Sequence, residues 1–404
     1  MATNRLYYQD SYLSSFESRV IDLAEGGGRV YLETTAFYPS SGGQPHDTGV
    51  LGGKAVIDVV DDGDRIAHVL SEPLSERVVK GRIDWQRRHD HMQQHTGQHL
   101  LSAVFVELLQ AQTLSFHMGA EVSSIELALT DLSESQIDEI ERRGNELVWQ
   151  ARPVNVLFED AESVQGLRKP SARSGNLRVI EISGVDRSAC GGTHVRSTSE
   201  VGPILILWWE RVRGNVRAEF VCGARALRHV KREHRTLAEL SRIASTPAKK
   251  LPDHLLTLRD RAAQLEKAKQ RLTAELARRE GEEKYSQIIP GADGIRRWAL
   301  DVQSIEDETR AKAQAFSNLP RSIVLLNATE PPGVLVACSP DSGINAGIVL
   351  KQALSRFGGR GGGSATLAQG SLTDGTVVEF LKEQLGFEAS AADAEREHRE
   401  TASE

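Results

Sequence analysis

Through the first eighty residues, short apolar-rich runs alternate with turn signals. Gly28-Arg-Val-Tyr-Leu-Glu33, Lys54-Ala-Val-Ile-Asp-Val-Val60 and Arg77-Val-Val-Lys-Gly-Arg-Ile83 are separated by Gly-Gly and Asp-Gly-Asp clusters. That pattern predicts strands and tight turns, hence a small barrel or sandwich over 1–84. From residue 85 the period changes. Leu100, Val104 and Leu108 recur every four residues, which predicts a helix over 85–110. Strand signals around 123–129, a helical stretch over 133–151 and a further strand at 177–182 complete a helix-on-antiparallel-sheet module over 85–225. The longest apolar run, 201–209, contains Gly202 and Pro203 and stops at Glu210. It falls well short of the roughly 20 residues of a membrane helix and reads as a buried strand.

Between 226 and 285 glycine nearly vanishes and charge dominates. Leu251, Leu258, Leu265 and Leu272 repeat every seven residues, interleaved with Leu255, Ala262 and Leu276, and Lys269 is the one polar seam position. This is a short heptad pattern, and Pro247 and Pro252 predict two helices rather than one rod. The seam suits packing on its own domain or, equally, a spacer or homodimer interface. Over 286–388, strand-like segments at 323–327 and 334–338 alternate with helical stretches at 307–317 and 347–357, an α/β module. Residues 389–404 are alanine- and acid-rich and are expected to be disordered. The fold class is therefore α+β and multidomain, in keeping with a 404-residue chain.

His95 and His99 stand four apart on the predicted helix, so both imidazoles lie on one face. Cys190 and His194, in a glycine-flanked turn, complete a four-ligand set. Zinc is the expected ion, one per chain, because it accepts nitrogen and thiolate tetrahedrally without redox chemistry. Four protein ligands describe a closed, structural site; a catalytic zinc would need five-coordinate expansion or the loss of one ligand. His91 lies one turn before His95 and is expected to stand outside the ligand set.

Cys190, Cys222 and Cys338 are too few for a disulfide framework, which points to a reducing cytoplasm. The first residues hold no apolar signal core. A net charge of −7 removes any global electrostatic case for nucleic acid, so RNA contact must rest on local basic patches. Arg225, Arg228, Lys231, Arg232 and Arg235 form one along the connector. Arg356 and Arg360 flank another in Arg356-Phe-Gly-Gly-Arg-Gly-Gly-Gly-Ser364, a run too glycine-rich for a regular element, with backbone amides open to phosphate oxygens. It lacks the lysine ending of a triphosphate-binding loop, so ATP hydrolysis is not implied.

His95-Thr-Gly-Gln-His-Leu-Leu-Ser102 and Ser188-Ala-Cys-Gly-Gly-Thr-His-Val195 resemble the two zinc motifs of the alanyl-tRNA synthetase editing domain and its free-standing relatives, the AlaX proteins. The stretch 35–49 resembles the glycine motif of the β-barrel preceding that domain. The run 357–369 resembles the glycine-rich loop of the synthetase's C-terminal DHHA1 module. The resemblance implies a long-form, stand-alone editing enzyme, a barrel at 1–84 and a DHHA1-like domain at 286–388. Its implied substrate is alanine tRNA mischarged with serine or glycine. It also implies a pocket at Thr35, Gly42, Gly43, Gln44 and His117, with Thr35 reading serine's hydroxyl, and tRNA contacts at Arg356 and Arg360. Histidine at 117 departs from the synthetase pattern, often glutamine. Because the chain begins directly in the strand-rich region, it is expected to hydrolyse aminoacyl-tRNA without making it. A tRNA-binding protein with a structural zinc and no activity, and an esterase for another aminoacyl-tRNA, are the competing readings.

Overall fold

The computed structural model describes residues 2–387 except 173 and 374, so the tail expected to be disordered lies outside the described residues. The chain is mixed α/β and divides into two compact units between Ser245 and Thr246.

The first unit begins with β1 (Asn4–Arg5), β2 (Ser15–Ala24), β3 (Arg29–Leu32), β4 (Thr34–Thr35), β5 (Gly49–Leu51), β6 (Lys54–Asp62), β7 (Arg65–Leu70) and β8 (Val78–Ile83). Six of these pair in the order β2-β3-β7-β6-β5-β8, and β8 returns to β2, so the hydrogen-bonded ring is closed. Its interior is filled by Val30, Leu32, Phe37, Leu51, Val59 and Ile66. Two polar residues are buried there as a satisfied chain. His68 Nδ1 lies 3.1 Å from the Val30 carbonyl and donates to it, which leaves Nε2 to accept from the Thr35 hydroxyl at 2.8 Å. The Thr35 oxygen in turn accepts from the Phe37 amide at 3.1 Å.

Burial pushes the His68 imidazole down to about 4, so it stays neutral in the fold while an unfolded chain takes up a proton near 6.5. The unfolded state then binds more protons than the folded one between those values. Stability is therefore expected to fall as pH drops from about 6.5 to about 4, by up to about 3 kcal/mol from this group alone. Urea midpoints across that range should show the slope, and His68→Gln should flatten it.

Asp84 caps α1 (Trp85–Leu109) by accepting from the Arg87 amide at 3.2 Å. From Met92 to Phe105 this helix is buried on every side, polar residues included, and such groups need partners. Gln94 supplies both halves of a pair with the Cys222 backbone, at 2.8 and 3.0 Å. Arg88 and Asp47 form a fully buried ion pair that ties the helix to the loop after β4, with Arg88 also bonded to the Ser11 and Ala36 carbonyls. Gly97 packs so tightly that a Cβ there would lie 2.2 Å from Cys222 Sγ.

Two sheets surround α1. One has the order β14 (Ile204–Val212), β15 (Asn215–Cys222), β10 (Ser123–Leu127), β9 (Thr113–Met118); the other comprises β11 (Val154–Asp160), β12 (Asn176–Ile182) and β13 (Asp186–Ala189). α2 (Glu134–Trp149) starts with a Ser133–Gln136 capping box and shares the core of Leu101, Phe105, Ile140, Leu147 and Ile204. The run expected to be a buried strand is corrected by the structure. β14 is an edge strand in which Ile204 and Ile206 are buried, but a bulge between Ile206 and Trp208 shifts the alternation, so Trp208 is 62% exposed while Trp209 packs on the core.

The predicted connector is two helices, and they fall in different units: α3 (Ala224–Ile243) in the first and α4 (Leu251–Gln287) in the second. In the second unit a five-stranded sheet runs β16 (Arg296–Val302), β17 (Ser322–Thr329), β18 (Pro332–Cys338), β20 (Leu367–Ser371), β19 (Arg360–Gly363). α5 (Asp307–Ser317) covers one face; α6 (Ala346–Phe357) and α7 (Thr376–Gln384) cover the other. The glycine run expected to lack regular structure is in part an edge strand: 360–363 pairs antiparallel with 368–371. The Ser364 hydroxyl closes the turn by accepting from the Thr366 and Leu367 amides at 3.3 and 3.2 Å. A neighbouring strand supplies hydrogen bonds that outweigh glycine's poor strand propensity. Of the heptad leucines Leu251 is buried, but Leu258, Leu265 and Leu272 are 47%, 61% and 59% exposed, so the seam beyond its first turn is not packed on its own unit. Among the described residues, no helix is long and apolar enough to cross a membrane.

Candidate metal centre

α1 and the turn after β13 meet at four side chains. His95, His99, Cys190 and His194 offer ligand atoms that all lie within 4.8 Å of one another. Cys190 Sγ is 3.5 Å from His95 Nε2 and 3.4 Å from His194 Nε2. Each imidazole is held from behind through Nδ1: His95 by Gln44 Oε1 at 2.8 Å, His99 by Asp186 Oδ2 at 2.8 Å and His194 by Thr96 Oγ1 at 3.1 Å. Hydrogen bonds at Nδ1 set ring orientation and leave Nε2 of each ring for an ion, the arrangement that metal-binding histidines use. Burial opposes the charge on Cys190, yet the facing imidazoles of His95 and His194 hold its thiol well below its usual range. The imidazole of His194 is pushed down to about 3 by burial and by His95. His99 is raised to about 9, because Asp186 and Cys190 overcome a burial effect of opposite sign.

The backbone of the Cys190 turn is fixed by Arg178, which donates to the carbonyls of Cys190 and Gly192 at 2.7 and 2.9 Å. Gly192 is required there: a Cβ would lie 2.2 Å from His95 Cε1. Asp186 also accepts from Arg168 Nε at 2.7 Å and from the Ser188 hydroxyl at 2.9 Å. Burial works against ionisation of Asp186, but His99 and Arg168 keep its carboxyl below the usual range.

A cavity of about 460 Å³ opens over the cluster, bordered by Tyr8, Tyr38, Gly42, Gln98, Thr113 and Arg168 among others. Gly42 and Gly43 turn at positive φ, 55° and 84°, and Gly43 sits against the Phe116 carbonyl, so the turn lies directly beside β9. Gln44 is 1% exposed and serves His95 and Thr193, not the open cavity.

Two expected pocket residues are elsewhere. Thr35 is fully buried in the barrel with its hydroxyl committed to His68 and Phe37. His117 is exposed and does not border the cavity, because alternate residues of a strand face opposite ways and Phe116 takes the side of His95, with ring centroids 5.3 Å apart. Arg356 and Arg360 are exposed in the second unit, Arg356 lying over the rings of Phe357 and Phe380 at 5.2 and 5.3 Å. Sequence reasoning missed Asp186, Thr96, Arg168 and Arg178. Thr96 is inside the first motif and Asp186 four residues before Cys190, but nothing in their types marks them as partners of histidine.

Thr35→Val is therefore expected to strand His68 Nε2 and the Phe37 amide. Stability should fall by about 1–3 kcal/mol in urea, with no change in the preference between serine and glycine esters. A selective loss of serine hydrolysis at unchanged stability would restore Thr35 to the pocket.

Residues 177–243, which include Cys190 and His194, match the family described as threonyl and alanyl tRNA synthetase second additional domain. Residues 307–387 match the DHHA1 domain. The chain is 30% identical to the alanyl-tRNA editing protein AlaX-L of Pyrococcus horikoshii, over 91% of this chain and 94% of that protein. It is 32% identical to the alanyl-tRNA editing protein Aarsd1 of Danio rerio, over 67% of this chain and 70% of that one. Identity to the alanine–tRNA ligase of Pyrococcus abyssi is also 32%, over 92% of this chain and 42% of the ligase, so the chain spans less than half the length of the ligases it matches. With two domain families in this order and a relative matched along nearly its whole length, the chain belongs to the AlaX-type, long-form alanyl-tRNA editing proteins.

Proposed function

We propose that the protein hydrolyses the aminoacyl ester of alanine tRNA mischarged with serine or glycine, at a zinc centre formed by His95, His99, Cys190 and His194. The observation that carries this reading is the ligand set itself: three Nε2 atoms and one thiol aimed at a common point on the floor of a polar cavity. Tetrahedral zinc, with Zn–N of about 2.0–2.1 Å and Zn–S of about 2.3 Å, requires nitrogen and sulfur about 3.5 Å apart. The spacings of 3.4 and 3.5 Å support that ion.

When bound, zinc would fix the four side chains and could polarise the ester carbonyl or a water. The chain's own residues then do the rest. Gln44, Asp186 and Thr96 hold the three rings in place. The turn at Gly42 lets a substrate approach the backbone closely. Tyr8 and Tyr38 form a wall, and Gln98 and Thr113, linked through the buried Ser102 hydroxyl at 2.7 and 2.6 Å, border the cavity where a small hydroxylated side chain would fit. In this reading 1–84 supplies the glycine turn, 85–225 the ligands, and 286–388 a tRNA contact at Arg356 and Arg360. The exposed heptad seam of α4 would join two copies.

The test is release of labelled serine from seryl-tRNA(Ala), with alanyl-tRNA(Ala) and a seryl-tRNA of another identity alongside. Hydrolysis confined to the first, and to glycyl-tRNA(Ala), supports the reading. Binding without hydrolysis would leave a tRNA-binding protein with a structural zinc, and indifference to tRNA identity would leave a broader esterase. Arg360→Gln should raise KM and shallow the salt dependence without lowering kcat.

A further inference from the structure

A second cleft, of about 720 Å³, shares no bordering residue with the metal cavity and takes no part in the chemistry above. It is bordered by Pro45, the first turn of α1, Gly119 and Ala120 after β9, and Ala224, Arg225 and Arg228 of α3. Three features of its wall point to one class of ligand.

The first is charge. Arg87 and Arg228 border the cleft, Arg228 62% exposed at its side chain. The first turn of the 25-residue α1 also borders it, its Arg87 amide taken by the Asp84 carboxylate. Of the two carboxylates, Asp84 is occupied in capping α1 and Asp90 is held by Arg225 at 2.7–3.0 Å.

The second is aromatic. Tyr12, Trp85 and His89 form a row with centroid separations of 5.4 and 5.7 Å, and its Trp85 and His89 members border the cleft, Trp85 38% exposed. Exposed aromatic faces beside guanidinium groups suit a nucleic-acid base and its phosphate.

The third is an unsatisfied group. His91 borders the cleft, is 3% exposed, and its Nδ1 has no hydrogen-bond partner among the described residues. An unpaired buried ring nitrogen is unfavourable unless something else compensates. Burial, followed by Arg87, Arg225 and Arg88, pushes this imidazole down to about 3.

We propose that this cleft binds one nucleotide of a single-stranded RNA segment, its base against Trp85 and His89 and its phosphate between Arg87 and Arg228. Taking that segment to be the 3′ strand of the tRNA rests on the editing reading; the binding of single-stranded RNA does not. Trp85 and His95 are ten residues apart on one helix, an axial distance of about 15 Å, so a strand ending at the metal cavity can pass the cleft within a few nucleotides.

The experiment uses the full zinc-loaded chain and a fluorescein-labelled eight-nucleotide RNA ending in CCA, followed by anisotropy over a salt series. Trp85→Ala and Arg228→Gln are each expected to weaken binding about tenfold with zinc content unchanged. Arg228→Gln should also reduce the slope of log K against log salt by about 0.7. Arg228 is largely exposed and its ion pair among the described residues is a 3.6 Å contact with Asp90, so its variant keeps the test valid should Trp85→Ala misfold. Wild-type affinity and slope in Arg228→Gln would overturn the proposal. Equal displacement of the RNA by AMP would assign the cleft to a free nucleotide and overturn the strand. A chain that hydrolyses no mischarged tRNA yet binds the RNA with these two sensitivities would retain the cleft and remove the editing reading. Hydrolysis with RNA binding insensitive to both variants would do the reverse.

Discussion

Replacing Cys190 by alanine is expected to remove both the bound metal and the hydrolysis of mischarged tRNA. The thiol is the only sulfur in the ligand set, and it sits about equally far from His95 and His194. Without it three imidazoles would have to hold the ion alone, in a site whose turn is shaped by Arg178 for the missing ligand. Loss of an outer partner of a metal ligand costs about 10–100-fold in affinity or activity, and loss of a ligand should exceed that. Plasma emission on purified protein should give one zinc per wild-type chain and none in Cys190→Ala. Deacylation should fall by more than about a hundredfold. Full activity in verified metal-free protein would eliminate the zinc model.

Asp186→Asn should produce the next largest effect, although Asp186 is not itself a ligand. Its carboxylate is buried between His99 Nδ1 and the Arg168 guanidinium, and it accepts from both. The amide keeps the shape but removes the charge that makes His99 a better donor and that balances Arg168. It also brings an NH₂ group that can face one of those donors. Metal affinity is expected to fall about 10–100-fold, read by competition with a chromophoric chelator. At saturating zinc most of the hydrolysis should return, which separates this variant from Cys190→Ala. Unchanged affinity would reduce Asp186 to a structural partner of Arg168.

The cluster of His95, His99, Cys190 and His194 is legible in the amino-acid sequence because its information is local. A four-residue spacing on a helix places His95 and His99 together through helical geometry alone, and Cys190 and His194 share one short turn. Periodicity likewise indicates the helix α1 and the strand-rich start, because each depends on the nearest neighbours in the chain. The seam of α4 is visible as a heptad, but a heptad does not say whether anything covers it.

Tertiary structure alone decides what each polar residue touches. Thr35 and His117 belong to the expected pocket by resemblance, yet the barrel interior claims Thr35 through His68, and the phase of β9 turns His117 outward while Phe116 meets His95. Strand alternation is evident in a sequence, but its phase is set by whatever packs against the sheet. The same holds for the glycine run at 360–363, which becomes a strand only because β20 offers it a ladder. Asp186 and Thr96 become partners of the ligands across sequence separations of 87 and 98 residues. Such pairs depend on how distant elements pack, which local composition does not encode; this chain's sequence therefore marked the four clustered side chains, while its fold determined how they are held.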